Sequence, residues 1–293
     1  MRRLLIIGCG DVVRRALPVL LQRWRVFALV RRRDPALAAL GVVQLVGDLD
    51  DARSLGRIAG IADAVLHSAP PPAEGEADPR TARLLAALAK GKSLPRSLVY
   101  IGTTGVYGDC GGALIDETRP VAPRTSRARR RADAERRLRN FGRRSGCRVV
   151  LLRAPGIYAA DRLPLERIRN RTPLIRAEED AYSNHIHADD LAGTCIAALH
   201  RGGPQRAVNV VDDSALAMGD WFDLLADAFA LPRSPRLAKA EALAALSPVQ
   251  LSFMGESRRI GNTRLKNELG VRLRYPTVAV GVAAALENNR GAS

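Results

Sequence analysis

Two glycines near the start of the chain constrain its fold more than any other feature. Residues 4–7, Leu-Leu-Ile-Ile, form a short apolar run that reads as a buried strand. Gly8-Cys9-Gly10-Asp11-Val12-Val13 follows at once and opens a helical stretch over residues 11–23. Gly8 permits the tight turn. Gly10 lets the backbone amides of the helix start, Asp11 and Val12 first among them, approach an anion at the positive end of the helix dipole. Two departures from the G-x-G-x-x-G pattern stand out. Val13 occupies the third glycine position, so the helix is expected to sit slightly farther from the strand. Pro18 lies inside the helix and is expected to kink it or cost a hydrogen bond. The opening Met-Arg-Arg followed by an apolar run is superficially like a signal peptide, but four apolar residues ending in Gly8 read as a strand.

The same rhythm continues. Apolar runs at residues 26–30, 42–46, 64–66, 98–101 and 149–152 are rich in Val, Ile and Leu without polar alternation, as in strands covered on both faces. Helical stretches at residues 79–90 and 125–144 lie between them. This alternation predicts an α/β fold with a doubly wound parallel sheet of Rossmann type over residues 1–155. A helix over 191–200 and a strand over 207–211 bring residues 186–211 back to it. Residues 156–185 and 212–293 break the rhythm and are assigned to a smaller C-terminal substrate lobe.

Composition narrows the partners. No apolar run approaches the roughly 20 residues of a membrane span, so no membrane partner is expected. The four cysteines are scattered, which argues against a disulfide framework or zinc site and suggests a reducing cytoplasm. The net charge of +16 would suit nucleic acid. Yet of 46 basic residues four are Lys, leaving 46 − 4 = 42 Arg, a ratio that reads as compositional bias. Aromatics make up only 4%, too few for base-stacking platforms, and no nucleic-acid partner is expected.

The second strand ends in Val30-Arg31-Arg32-Arg33, where a dinucleotide-binding sheet would place the acid that holds the ribose hydroxyls of NAD. Arg31 and Arg32 suit a 2′-phosphate instead, so NADP is favoured over NAD. At roughly 14% arginine about one Arg triplet arises by chance, and Arg129-Arg130-Arg131 is another. The location of the first triplet and the absence of the acid carry the argument. Asp48 and Leu49, after the third strand, are placed to meet adenine, whose amino group a carboxylate can accept.

Further segments fall in a recognisable order: His67-Ser68-Ala69, Thr103-Thr104-Gly105-Val106-Tyr107-Gly108, Leu152-Arg153-Ala154-Pro155-Gly156-Ile157-Tyr158, Ile186-His187-Ala188-Asp189-Asp190-Leu191 and Val208-Asn209-Val210-Val211-Asp212. With the glycine turn and Gly47-Asp48-Leu49, this set resembles an extended short-chain dehydrogenase/reductase, the group containing sugar-nucleotide epimerases and dehydratases. The resemblance implies that Ser68 and Ala69 border the cofactor and that Thr103, four residues before Tyr107, polarises a substrate oxygen. It also implies an oxidoreductase or epimerase/dehydratase activity on a nucleotide-sugar or other hydroxylated small molecule. The family's Tyr-x-x-x-Lys pair, counted back from Glu135, falls on Arg127 and Arg131, which matches the atypical subgroup. Arginine does not act as a base under ordinary conditions, so the usual proton relay is absent. Spaced i, i+4 on one stripe with Ala134, Leu138 and Phe141, Arg127 and Arg131 are expected to face inward at the cofactor end and to hold an anion, with Arg131 in place of the lysine. The alternative is a frayed helix start with both side chains solvated. Tyr107 and Tyr158 are the remaining candidate proton donors.

Two readings from other classes compete. His185-x-His187-x-Asp189-Asp190 resembles the metal cluster of binuclear hydrolases. It lies in the wrong place for that fold, and only His67 and His200 remain as further ligands. No metal is therefore expected, and Asp189 or Asp190 is expected to cap the helix that follows. The loss of the Tyr–Lys pair also admits a non-catalytic NADP(H)-sensing or scaffold protein.

Overall fold

The computed structural model describes residues 1–244 and 256–290. Seven strands form its centre: β1 Arg2–Ile7, β2 Trp24–Val30, β3 Val43–Val46, β4 Ala64–His67, β5 Ser97–Thr103, β6 Arg148–Ala154 and β7 Arg206–Asn209. They pair in the order β7-β6-β5-β4-β1-β2-β3, every neighbour parallel. Parallel neighbours require crossover connections, which lay helices on both faces of a sheet. Here these are α1 Asp11–Arg23, α2 Pro79–Ala89, α3 Ser126–Ser145 and α4 Ala188–His200. The order reverses between β1 and β4, and that switch point leaves a crevice at the carboxyl ends of the strands.

Alternate residues of each strand supply two separate cores. Leu4 and Ile6 of β1 pack with Val13, Leu17 and Leu20 of α1 and with Leu191 and Ala198 of α4. Leu5 and Ile7 pack on the other side with Leu84 and Leu88 of α2 and Ala134 and Leu138 of α3. Val13, at the third glycine position, is buried in the first of these cores. α1 runs unbroken through Pro18, which lies on its exposed face. α3 starts cleanly, with the Thr125 hydroxyl accepting from Ala128 N at 3.1 Å, and ends on Gly146 in the left-handed conformation (φ 71°).

A third core joins Tyr158, Ile168 and Leu174 to Trp221, Phe222 and Leu225 of α5 Met218–Ala228 and to Val278 and Val282 of α6 Val278–Arg290. Residues 212–290 are not confined to it. Leu265 and Leu269, from the short helix Thr263–Asn267 and the turn after it, are buried with Leu4 and Leu191 in the core of the sheet. A patterned sheet strand is easy to read in a sequence, whereas a five-residue helix docking at long range leaves no periodic signal. No helix among the described residues is long and apolar enough to cross a membrane.

Candidate functional site

The glycine turn forms one wall of the crevice at the switch point. Gly8 adopts φ +87°, and a Cβ there would fall 2.5 Å from Ala69 N, so no other residue fits. Ser68 N and Ala69 N both donate to Ile7 O, at 2.8 and 3.0 Å, and the Ser68 hydroxyl donates to Gly8 O, which fixes the end of β4 against the turn. Gly10 is the N-cap of α1. It makes no side-chain cap bond, and a Cβ on it would meet nothing within 4 Å. The first amides of α1 thus receive no side-chain cap from this residue.

That turn borders a cavity of about 860 Å³. Arg31, Arg32, Asp34, Asp48, Leu49, Ala69 and Arg80 also line it. The side chains of Asp11 and Val12 do not line it: Asp11 pairs with Arg15 and Arg162, and Val12 packs on the α1–sheet core. Ser68 stands behind the turn. Three charged lining residues escaped the sequence reading: Arg14, Asp34 and Arg80. Arg80 is held by Asp50 (Nε–Oδ1 3.0 Å) and by the Pro70 carbonyl. Asp34 corrects the expectation that no acid stands after β2. It lies four residues past Val30, accepts from Ala36 N at 2.9 Å, and is paired with Arg14, whose hydrogen bond holds its carboxyl below the usual range. The Asp34-Pro35 step is a helix N-cap followed by proline, and that signature could have located it.

A second cavity, of about 360 Å³, is bordered by Thr103, Arg127, Gly156, His185, Glu256 and Arg258 among others. Thr103 ends β5, half-buried, and its hydroxyl accepts from Gly105 N at 3.2 Å. Arg127 shares this wall; partial burial and then the charges of Arg131 and Arg130 push its pKa down, though a guanidinium stays charged. Arg131 turns inward, and its Nη1 donates to the Tyr100 hydroxyl and to Ile101 O, both at 3.0 Å. Ala134 and Leu138 are fully buried beyond it and Phe141 is half-buried. α3 is anchored one turn further on. Glu135 and Arg153, both buried, form a bidentate pair with Nη2–Oε2 2.7 Å and Nε–Oε1 3.0 Å.

The candidate proton donors sit outside this cavity. A 3-10 turn over Thr104–Tyr107 leaves Thr103 at the cavity but carries Tyr107 into the interior. There its hydroxyl donates to Asn209 Oδ1 at 2.8 Å and the Arg153 guanidinium lies 4.7 Å from its ring. Burial pushes the pKa of Tyr107 up, and burial followed by the charge of Asp212 does the same to Tyr158. His185, weighed above only as a metal ligand, does line the cavity. It is the Cα partner of Gly156 in a short parallel pair, and a Cβ at 156 would lie 3.5 Å from its Cδ2. Its ring packs 4.6 Å from Trp221, and burial pushes its pKa down to about 4.

The capping expectation changes as well. α4 begins at Ala188, and its cap is His187, whose Nδ1 accepts from Asp189 N at 3.2 Å. Asp190 instead accepts from the backbone of Arg274 (2.7 Å) and Tyr275 (2.9 Å), which ties α4 to the C-terminal segment. Among the described residues no group of three or more His, Cys, Asp or Glu is arranged to hold a metal ion.

No curated protein matches the chain. Among solved structures, a functionally unknown conserved protein from Silicibacter pomeroyi DSS is 29% identical over 99% of both chains, with a TM-score of 0.80. UDP-glucose 4-epimerase from Thermotoga maritima, solved with UDP-glucose, superimposes over 99% of both chains at TM-score 0.78 and 15% identity. UDP-glucuronic acid 4-epimerase from Bacillus cereus, in complex with NAD, does so over 99% of both chains at TM-score 0.75 and 15% identity. At such identities the two epimerases share the fold. The model of one family matches residues 10–211, from the second glycine of the turn to the end of the parallel sheet, and the chain accordingly belongs to the NAD dependent epimerase/dehydratase family.

Proposed function

We propose that this protein binds NADP(H) in the larger cavity and acts as an oxidoreductase or epimerase/dehydratase on a nucleotide-sugar or other hydroxylated small molecule, in the cytoplasm and without a Tyr–Lys pair. One observation carries the reading: Arg31 and Arg32 line the same cavity as Gly8 and Cys9 of the glycine turn, at the switch point of the sheet. The residues fit a dinucleotide. The first amides of α1 suit a pyrophosphate, the two arginines suit a 2′-phosphate, and Asp48 suits the adenine amino group.

A bound nicotinamide supplies a hydride acceptor or donor at its C4. The protein's own part is positioning and electrostatics. The Thr103 hydroxyl donates to a substrate oxygen, and Arg127, in the same cavity wall, stabilises negative charge on that oxygen or on a substrate anion. Arg131 takes the lysine's place, its orientation set by Tyr100 and Ile101 O. Calorimetry with NADPH and NADH tests the cofactor assignment. NADPH should bind more tightly, and Arg31→Ala or Arg32→Ala should narrow the difference; equal affinities in the unmutated protein would refute it.

A second reading has support of its own. Tyr107 and Tyr158 are buried and bonded elsewhere, which favours a protein that binds NADP(H) without turnover. A screen separates the two: UDP-glucose and UDP-glucuronic acid with NADP+, their keto analogues with NADPH, each followed by cofactor absorbance and by chromatography of the sugar nucleotide for an epimerised or dehydrated product. A change in the cofactor or a converted sugar nucleotide supports the enzyme, and tight binding with neither supports the sensor or scaffold.

A further inference from the structure

Arg14 is the fourth residue of α1, exposed on its surface, and its guanidinium bridges two walls of the larger cavity. Nε donates to the carbonyl of Cys9, inside the glycine turn, at 3.2 Å. Nη2 donates to Asp34 Oδ2, just past the end of β2. The two partners are not equally free. Asp34 is fixed: its Oδ1 accepts from Ala36 N, its own N–H donates to Gln44 Oε1 at 2.7 Å, and its carbonyl accepts from Gln44 Nε2 at 2.7 Å. Arg14 is a long side chain held only at its tip. Opposite charges exposed to water bind each other weakly, because solvent screens them.

The end of β2 is where a dinucleotide-binding sheet meets the 2′ position of the adenosine ribose. A 2′-phosphate brings more negative charge than a carboxylate and three acceptor oxygens, so it can draw a guanidinium from a solvated aspartate. A ribose without that phosphate offers hydroxyl donors, which an aspartate can accept.

We infer that Arg14 is the cation that discriminates between the phosphorylated and unphosphorylated nicotinamide cofactors, with Asp34 as its resting partner. The inference rests on the NADP(H) reading above and adds to it a residue outside the arginine run. With NADP(H) bound, Arg14 joins Arg31 and Arg32 on the phosphate; with NAD(H) bound, Arg14 stays on Asp34. Because Nε also holds Cys9 O, the same side chain couples the 2′ end of the cofactor to the turn that receives its pyrophosphate.

Calorimetry with NADPH, NADH, 2′,5′-ADP and 5′-AMP tests this on the full chain carrying Arg14→Gln, Arg14→Lys or Asp34→Asn. Arg14→Gln should weaken NADPH and 2′,5′-ADP by about tenfold or more and leave NADH and 5′-AMP within about threefold, the scale of one charged hydrogen bond. Arg14→Lys should retain part of the preference through its charge, a rescue that a merely structural role would not give. Asp34→Asn should raise the NADPH-to-NADH affinity ratio. The advantage of 2′,5′-ADP over 5′-AMP should grow as pH rises through about 6, where the phosphate takes its second charge, and this slope should flatten in Arg14→Gln. An unchanged ratio in Arg14→Gln, with NADPH still preferred, overturns the role of Arg14 and leaves the cofactor reading intact. Equal binding of NADPH and NADH by the unmutated protein, or binding of neither, overturns both.

Discussion

Glu135→Ala tests how α3, which carries Arg127 and Arg131, is held against the sheet. The Arg153 side chain is 4% exposed and that of Glu135 5%, so water cannot replace either partner. Burial opposes the charge on Arg153, but the hydrogen bonds and charge of Glu135 outweigh it and hold the guanidinium pKa above its usual value. Removing the carboxylate deletes both bonds and leaves a buried cation without a counter-charge. Such a loss costs about 3–5 kcal/mol. For a chain of this size it should lower the melting temperature on the order of 10 °C. Glu135→Gln keeps one acceptor without the charge and should cost less, about 1–3 kcal/mol. The double variant Glu135→Leu with Arg153→Met should recover most of the stability, because a buried ion pair gains little over apolar residues of similar volume. Urea unfolding of the unmutated protein, Glu135→Leu, Arg153→Met and the double variant completes a double-mutant cycle. A cost below about 1 kcal/mol for Glu135→Ala, or additive single and double variants, would refute the view that this pair anchors the helix.

Arg131→Ala should lose about 1–3 kcal/mol of NADPH affinity by calorimetry, and Arg131→Lys should keep part of it; no change in either would place Arg131 outside the cofactor site. His185 is neutral in the folded protein down to about pH 4, whereas the unfolded chain takes up its proton near 6.5. Folding therefore loses stability at this residue as pH falls through that window, by up to about 1.4 kcal/mol per pH unit. Denaturation at pH 7 and 4.5 should show His185→Gln gaining on the unmutated protein at the lower pH, and a pH-independent difference would contradict the burial argument. Purified protein should hold no stoichiometric zinc, iron or manganese by elemental analysis; about one metal per chain, lost in His187→Ala, would restore the hydrolase reading.

The parallel sheet was legible because its strands are short, unbroken apolar runs separated by helical stretches. Those local patterns survive in any context that buries both faces. The turn at Gly8 was legible for a similar reason: a left-handed backbone pressed against Ala69 tolerates only glycine. Arg127 and Arg131 could be placed by counting from Glu135, since helical spacing carries position directly. The structure then divided their surroundings, with Arg131 on β5 and Arg127 beside Thr103. The seating of Tyr107 away from Thr103 was decided by one 3-10 turn, whose four residues have no period to detect. Arg14 with Asp34, and His185 with Gly156, are pairs 20 and 29 residues apart, joined by the crossing of α1 with β2 and by a two-strand pairing beyond the sheet. What the sequence determined by itself was local backbone geometry and burial, because propensity and periodicity act over a few residues. Which charges meet across the cavity only the tertiary structure decided, because those contacts depend on the summed path of strands and helices between them.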